Sequence, residues 1–289
     1  MPSIKEYNVK LHRLHNTEKM TRTMKLVAMS KLYRAQENQR QAKLYAQRLK
    51  DLIARLATSV ESAAHPLFTP YKQIDNIEIL VISSDKGMCG SFNNTLNKRV
   101  AVWITQEKSK YQQIELRCCG KRSTIFLKKF ANVIKDHKGV TAKPDFLTAT
   151  TIGKELVDDF ISGKYQEIYL AYNIYHSPLS QTPLFEKILP IEPKILLEGG
   201  TKIRSDYIFE PAQEELLNFL IPKYLFFRVY FALLENSAGE HGARMTAMES
   251  ATKNASELID RYTLYRNRAR QAGITKELIE IVSGAEALK

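Results

Sequence analysis

The stretch SIKEYNVKLHRLHNTEKMTRTMKLVAMSKLYRAQENQRQAKLYAQRLKDLIARLATSVESAAH, Ser3 to His65, contains neither glycine nor proline. Along it a 3,4 series runs Ile4, Tyr7, Leu11, Leu14, Glu18, Thr21, Lys25, Ala28, Leu32, Ala35, Gln39, Ala42, Ala46, Leu49, Ile53, Leu56, Val60. Thirteen of these seventeen positions are apolar against 44% for the whole chain, so spacing and not composition makes the seam. A 3.5-residue repeat of this kind marks a helix with a narrow apolar stripe, as in a coiled coil. At 1.5 Å per residue such a helix is roughly 90 Å long, too long to lie on one small globular domain. A second series near the other end runs Met248, Ala251, Ala255, Leu258, Tyr262, Tyr265, Ala269, Ala272. A seam needs a partner, and the second is the nearest partner for the first. The ends are therefore expected to pair into a long antiparallel coiled coil, with the middle of the chain inserted between them.

The middle reads differently. Two prolines punctuate a linker over 65–73, and Ile77–Ser83 is then a continuous apolar run, as in a strand buried on both faces. A helix over 92–108, a strand over 114–119, a basic helix around 122–130, a helix over 148–161 and a strand over 167–175 follow. Residues 183–191 suit an antiparallel partner or edge strand. This alternation predicts a small doubly wound, Rossmann-like α/β domain with a largely parallel sheet. Pro211 followed by Gln213, Glu214 and Glu215 opens the second long helix, with Pro222 an expected kink or break. The expected divisions are 1–64 for the first helix, 65–73 for the linker, 74–208 for the α/β domain and 209–289 for the second helix.

The chain carries a formal charge of +12. Residues 1–60 hold thirteen Lys and Arg against four acids, so +9 of the total sits on the first helix. A long basic helix calls for an acidic partner. Nucleic acid is the first alternative, but it predicts aromatic residues interleaved for base stacking. The first helix offers only Tyr7, Tyr33 and Tyr45, two of them off the seam, so no nucleic-acid partner is expected. No apolar run approaches the roughly 20 residues of a membrane span, and no signal or transit peptide is read at the start. Three cysteines, Cys89, Cys118 and Cys119, suit a reducing compartment better than a disulfide framework. The adjacent pair would fall on opposite faces of a strand.

Ser83-Ser84-Asp85-Lys86-Gly87-Met88-Cys89-Gly90-Ser91 lies between a buried strand and a helix, where a phosphate-binding loop would lie. It matches neither G-x-G-x-x-G nor G-x-x-x-x-G-K-[ST], so its glycines read as turn residues and no cofactor is expected. His12 and His15 stand three apart on a basic helix with no carboxylate ligand nearby, so no metal site is expected either. No Ser, Cys or Lys stands beside an evident base and orienting acid. An α/β enzyme with a helical arm is thus the weaker alternative. Arg261, Arg266, Arg268 and Arg270 form a second basic cluster, and Ile274–Leu288 is an apolar tail that either returns to a core or enters a partner.

Residues 11–36, LHRLHNTEKMTRTMKLVAMSKLYRAQ, resemble the N-terminal helix of the gamma subunit of F-type rotary ATP synthases. HGARMTAMESATKNA (241–255) and ARQAGITKELIEIVSGAEAL (269–288) resemble that family's C-terminal helix. The pattern I-T-x-E-x-x-E-x-x-x-G-A is met by Ile274, Thr275, Glu277, Glu280, Gly284 and Ala285. SSDKGMCGSFN resembles the family's loop after its first strand. The resemblance implies a central rotor shaft, itself without catalytic activity. The shaft couples ion-driven rotation of a membrane ring of c subunits to sequential changes at catalytic sites, which lie in a ring of alpha and beta subunits. It further implies regulation of ATPase activity and proton flow, contact with the epsilon subunit, and a peripheral place on the cytoplasmic face of a bacterial inner membrane.

Residue by residue, the resemblance assigns Arg270, Gln271 and Thr275 to contacts with catalytic-subunit loops. Lys19, Arg22, Lys25, Lys31 and Arg34 face acidic segments of those subunits, and Ile281, Val282, Ala285 and Leu288 sit in an apolar bearing. Tyr207 and Glu210 meet the membrane rotor, and Cys89 lies in the region that meets epsilon. Three departures stand out. Met29 occupies a position where a small alanine is usual, Lys289 extends past the usual apolar end, and Gly239 and Gly242 are expected to soften the second helix by about 1 kcal/mol each relative to alanine.

Overall fold

The computed structural model describes residues 3–57, 65–192 and 213–286. Its elements, in chain order, begin with α1 (Ile4–Ala57), a 3₁₀ turn (Pro66–Phe68), β1 (Asn76–Ile82), α2 (Phe92–Glu107) and β2 (Gln113–Cys119). There follow α3 (Lys121–Leu127), β3 (Asn132–His137), α4 (Phe146–Ile161), β4 (Glu167–Ser177), β5 (Ser180–Leu189) and α5 (Gln213–Glu286). The chain divides into two compact units, Met1–Ala28 with Met245–Lys289, and Met29–Arg244.

In the first unit α1 and α5 run antiparallel. Tyr7 meets Tyr262 and Tyr265 with ring centroids 6.2 and 6.4 Å apart. Thr252 donates to Thr21 at 2.7 Å, and Lys25 pairs with Glu249 at 2.6 Å. Residue numbers thus rise on one helix as they fall on the other. Leu11, Thr21 and Ala28 are buried here and Tyr7, Leu14, Glu18 and Lys25 half-buried, so α1 keeps its 3.5-residue stripe. Further along α1, within the second unit, Leu32, Ala35, Ala42, Leu49 and Ile53 are buried on the same register. Ile4 is exposed, and the side chains of Leu56 and Val60 lie outside the described residues.

On α5 the stripe departs from the expected series. Met248 and Ala255 are buried as the spacing requires, but the next buried residue is Ile259 (9% exposed), while Leu258 is 37% exposed. Arg266 and Gly273 are likewise more covered than Tyr265 and Ala272. Met248 to Ile259 is an 11-residue step, the natural period of an α-helix over three turns. A strict heptad drifts from that period by about 20° per repeat, which moves the contact by one residue.

The second unit is a five-stranded sheet in the order β3-β2-β1-β4-β5. All neighbours are parallel except β4 and β5, which pair antiparallel. β1 is buried on both faces. Ile77, Ile79 and Val81 pack with Leu96, Val100 and Ile104 of α2, whereas Leu80 and Ile82 share a core with α4 and the helical segments 29–57 and 213–244. Cys118 and Cys119 fall into these two opposite cores. Burial pushes the Cys118 thiol up to about 12 and the Cys119 thiol higher still, so both stay protonated at neutral pH. β5 tolerates Pro183 because it is an edge strand, where one missing N–H costs no ladder partner.

β3 has no counterpart in the sequence reading. Its segment, NVIKDH, has four polar residues of six and is nowhere fully buried, so it gives neither the apolar run of a central strand nor a clean alternation. Pro222 neither breaks nor ends α5, which is helical from Gln213 to Glu286. The helical bond that proline forgoes would have used the carbonyl of Asn218, an exposed residue where water can serve. Gly239 and Gly242 do not soften a free helix; they let α5 approach the sheet. A Cβ on Gly239 would stand 2.7 Å from Phe92 Cε2, and one on Gly242 3.1 Å from Pro178 Cα and from Tyr175 Cε2.

A charge cluster lies between the sheet and α4. Arg117 of β2 donates to Glu78 of β1 at 2.6 Å, to Asp159 of α4 at 2.7 Å, and to Glu155 of α4. Glu78 is fully buried and Arg117 nearly so. Burial pushes the Glu78 carboxyl up to about 7, against the pull of Arg117. Because that value exceeds the ordinary 4.5, the folded chain holds this proton more tightly than the unfolded chain. The stabilisation from Glu78 is therefore complete below pH 4.5 and lost as pH rises through about 7, a span of about 3 kcal/mol. Unfolding free energies measured between pH 4.5 and 8 should show this downward component, and Glu78→Gln should remove it. An unchanged slope in that variant would assign the component to other groups.

Candidate interaction surfaces

Three segments carry the residues that the sequence marks out, and a fourth site appears only in the structure. The first is the outward side of α1 over residues 19–34. Off the buried seam, Lys19 and Arg22 are exposed, and so are Lys31 and Arg34 further along the helix. Lys25 is half-buried and held by Glu249 of α5, so its charge is already matched. Interleaved with the cations, Met20, Leu26, Val27, Met29 and Tyr33 are all more than half exposed. The large side chain of Met29 is thus accommodated by pointing away from the seam. The sequence reading passed over Met20, Leu26, Val27 and Tyr33. Their signal was available as apolar residues at off-seam positions, which a solvated helix face seldom repeats so densely.

The second segment is the end of α5. Arg270 and Gln271 are exposed, and Thr275 donates to the Gln271 carbonyl at 3.0 Å while remaining exposed. Ile274, Leu278, Ile279, Ile281 and Val282 are each half exposed or more, and Ala285 is exposed too. Leu288 lies outside the described residues, as do Tyr207 and Glu210.

The third is the loop from Ser83 to Ser91 at the carboxyl end of β1. Cys89 is buried against Phe92 and Ala243, its sulfur 3.1 Å from Asn93 Nδ2, and burial raises its thiol above the usual range. Its neighbour Met88, held at a positive φ of 61°, is exposed, as are Lys86 and Ser91 of the same loop. In an open α/β sheet of this order, ligands enter the crevice where the strand order reverses, here between β1 and β4. That crevice is filled by α5. Asn236 donates to the Ser83 carbonyl at 3.0 Å, Gly239 abuts Phe92, and Arg244 donates to the Gly87 carbonyl at 3.2 Å while pairing with Glu240 at 2.7 Å.

The fourth was not visible in the sequence. Glu235 of α5, almost fully buried, accepts from Gln39 of α1 at 2.5 Å and from the backbone N–H of Tyr175 in β4 at 2.7 Å. Gln36 of α1 donates to the Tyr175 hydroxyl at 2.8 Å. One buried carboxylate and one tyrosine thus bind both long helices to the end of β4. Nothing in the spacing of Gln36, Gln39 and Glu235 announces this, because the contacts join residues 60, 139 and 196 apart in the chain.

Among the described residues no group of three His, Cys, Asp or Glu comes together to hold a metal ion, and no helix is long and apolar enough to cross a membrane. His15 lies 3.8 Å from Glu18 on an open helix face.

The family model described as ATP synthase matches residues 3–288. A protein of Geobacter sp. (strain M21) named ATP synthase gamma chain is 39% identical over 289 residues, with both chains covered in full. The ATP synthase gamma chain of Geobacter metallireducens is 40% identical over 290 residues, again with full coverage of both. Among solved structures, a chain of the Euglena gracilis mitochondrial ATP synthase (OSCP/F1/c-ring) superposes with a TM-score of 0.68 at 18% identity, covering 99% of this chain and 94% of that one. A chain from the central stalk and c-ring of the Tetrahymena thermophila enzyme gives 0.59 at 23% identity, covering 80% and 99%. At these identities the superpositions speak for the fold alone.

Proposed function

This chain belongs to the family of ATP synthase gamma chains, and from that premise we propose a division of labour between its paired helices and its α/β unit. The protein is the central rotor shaft of a rotary ATP synthase, a non-catalytic subunit of a membrane-associated complex that includes the catalytic ring and the c-ring. Ion-driven rotation of the c-ring turns the shaft, and the shaft drives sequential conformational change at the catalytic sites.

One observation carries the finer reading. The antiparallel pair buries small residues such as Ala28 and Ala255, and it leaves Met20, Leu26 and Val27 of α1 and Ile281 and Val282 of α5 turned outward. Buried area stabilises at about 25 cal/mol per Å², so a seam of alanines holds two helices weakly. Such a pair is suited to a sleeve of other subunits that covers its outward side chains. In this reading Lys19, Arg22, Lys31 and Arg34 meet acidic segments of the beta subunits, with each exposed ion pair contributing ~0–1 kcal/mol and weakening with salt. Arg270, Gln271 and Thr275 touch catalytic-subunit loops, and Ile281, Val282, Ala285 and Leu288 turn in an apolar bearing. Residues 1–64 and 209–289 form the shaft and 74–208 the foot. Tyr207 and Glu210 meet the c-ring, and the loop that holds Cys89 meets epsilon through the exposed Met88. The brace of Gln36, Gln39, Tyr175 and Glu235 carries torque from the foot into both helices. The complex sits on the cytoplasmic face of a bacterial inner membrane, with this chain attached only through its partners.

Two experiments test this. A tagged chain pulled down from native membranes should bring a stoichiometric ring of two kinds of nucleotide-binding subunit, epsilon and c subunits. Recovery of nucleic acid that washes off steeply with salt, and no ring, would reverse the reading. Truncation from Ser283 should lower coupled ATP synthesis in membrane vesicles several-fold and leave the unfolding transition of the α/β unit in place. Full coupling without the tail would remove its bearing role.

A further inference from the structure

Between α2 and α3 lies a cavity of about 590 Å³, whose wall includes Gly87 and Cys89 of the loop that α5 also contacts. Its charge is one-sided. Arg122, Lys128 and Lys129 line it and no carboxylate does. Among the described residues none of these three side chains has an ion-pair partner. The nearest acid of the loop, Asp85, is occupied by the backbone N–H groups of Lys121 and Gly139 and by the Thr141 hydroxyl. Three unmatched cations around one concavity raise the local concentration of anions.

The backbone adds to this field. Asn94 of the first turn of α2 lines the same cavity, and the N-cap of that helix, Ser91, makes no side-chain capping bond. The positive end of a 16-residue helix therefore borders the space without a side-chain cap, its first N–H, that of Phe92, donating to the Cys89 carbonyl at 3.2 Å. Gly87 gives Arg122 its place. A Cβ there would stand 2.7 Å from Arg122 Nη2, so the guanidinium lies across the bare loop backbone at the cavity wall. Phe126, stacked on Phe130 with centroids 5.8 Å apart, supplies an apolar side.

The size and spread of the site narrow the ligand. A volume of this order suits a small molecule rather than a lone ion. Arg122 stands in the first turn of α3 and Lys128 and Lys129 just past its end, about 10 Å apart along the helix. Linked phosphates present more anionic oxygens to cations spread along that length than a single orthophosphate does. We propose that this cavity is a binding site for a polyphosphate anion, inorganic pyrophosphate or a nucleoside polyphosphate, with Arg122 and Lys129 gripping its two ends.

The test is calorimetric titration of the full-length chain at low salt, without divalent metal, using orthophosphate, pyrophosphate and ATP. Saturable binding of one pyrophosphate per chain, with orthophosphate markedly weaker, is the expected result. ATP binding tighter than pyrophosphate assigns the Phe126 wall to an organic body, and equal affinities assign the site to the phosphates alone. Arg122→Gln and Lys129→Gln should each weaken binding about tenfold, the usual loss for one charge-assisted hydrogen bond. Gly87→Ala, which displaces only the flexible end of Arg122, should do the same with the unfolding transition unchanged. The double variant Lys19→Gln, Arg22→Gln, on the first unit, should bind as the parent does. No saturable binding at millimolar pyrophosphate would overturn the proposal. So would an equal loss in the Lys19, Arg22 variant, since binding would then follow the general basic charge.

Discussion

Replacing Arg117 with alanine will lower the unfolding free energy of the α/β unit by about 3–5 kcal/mol at pH 8, the usual cost of leaving a buried charge without its partner. The arginine is the common donor to Glu78, Glu155 and Asp159, and it is the only cation that reaches Glu78 among the described residues. Glu155 can turn to Lys135, 2.6 Å away, and Asp159 to Lys164 at 3.4 Å. Glu78 has no such escape. It is fully buried, and its second oxygen already lacks a hydrogen-bond partner. The cost should shrink at pH 5, where the Glu78 carboxyl, raised by burial and no longer pulled down by Arg117, takes up a proton and ceases to be a charge. The double replacement Arg117→Met, Glu78→Leu should recover most of the loss, because apolar groups of similar volume serve a buried site about as well as an ion pair. Urea unfolding of the full chain at both pH values checks all three statements. A loss under 1 kcal/mol at pH 8 would mean that water or another cation reaches Glu78.

Gly153→Val will cost about 3 kcal/mol through overpacking. Gly153 faces Phe226 where α4 crosses α5, and an added Cβ would collide with the Phe226 ring and stand 3.2 Å from its Cα. In a loose core a ring can swing away, but the backbone of a long helix cannot. Both flanks are already filled, since Ile152 and Leu156 are fully buried and Phe226 nearly so. Helix propensity alone predicts the opposite sign, since glycine inside a helix is about 1 kcal/mol worse than alanine. The packing contact is the larger effect, and the sign of the measured change decides between them. A second variant tests the geometry. Phe226→Ala costs stability alone but should restore part of the loss in the Gly153→Val background, a non-additivity expected only of residues in contact.

How much of this was legible beforehand depended on the range of the cause. The α1 seam was readable from Leu11 to Ile53 because a helix repeats its own geometry every few residues. β1, β2 and α2 were readable because continuous apolar runs and turn glycines are local signals. β3 escaped, since a mostly polar edge strand owes its existence to the β2 edge beside it and not to its own pattern. On α5 the heptad reading slipped by one residue at Leu258 and Ile259, where two adjacent apolar side chains left the choice to the partner helix. Candidate surface residues fared similarly. Lys19, Arg22 and the tail were found by charge and hydropathy, but Met20, Leu26, Val27 and Tyr33 were hidden in a seam-centred reading.

The sequence by itself determined that two long helices would pair through small residues around a parallel α/β insertion, that the first would be basic and that the tail of the second would be apolar. Those are properties of composition and period, carried by each segment without help. Only the tertiary structure decided what the polar residues of α5 do. Asn236, Gly239 and Glu240 look like any interior turn of a helix, yet they close the crevice at the end of β1 where a sheet of this order would otherwise take a ligand. Glu235 looks like a solvated acid, yet it is buried and binds α1 to β4. Burial depends on which distant segment lies alongside, and that is settled by the packing of the whole chain.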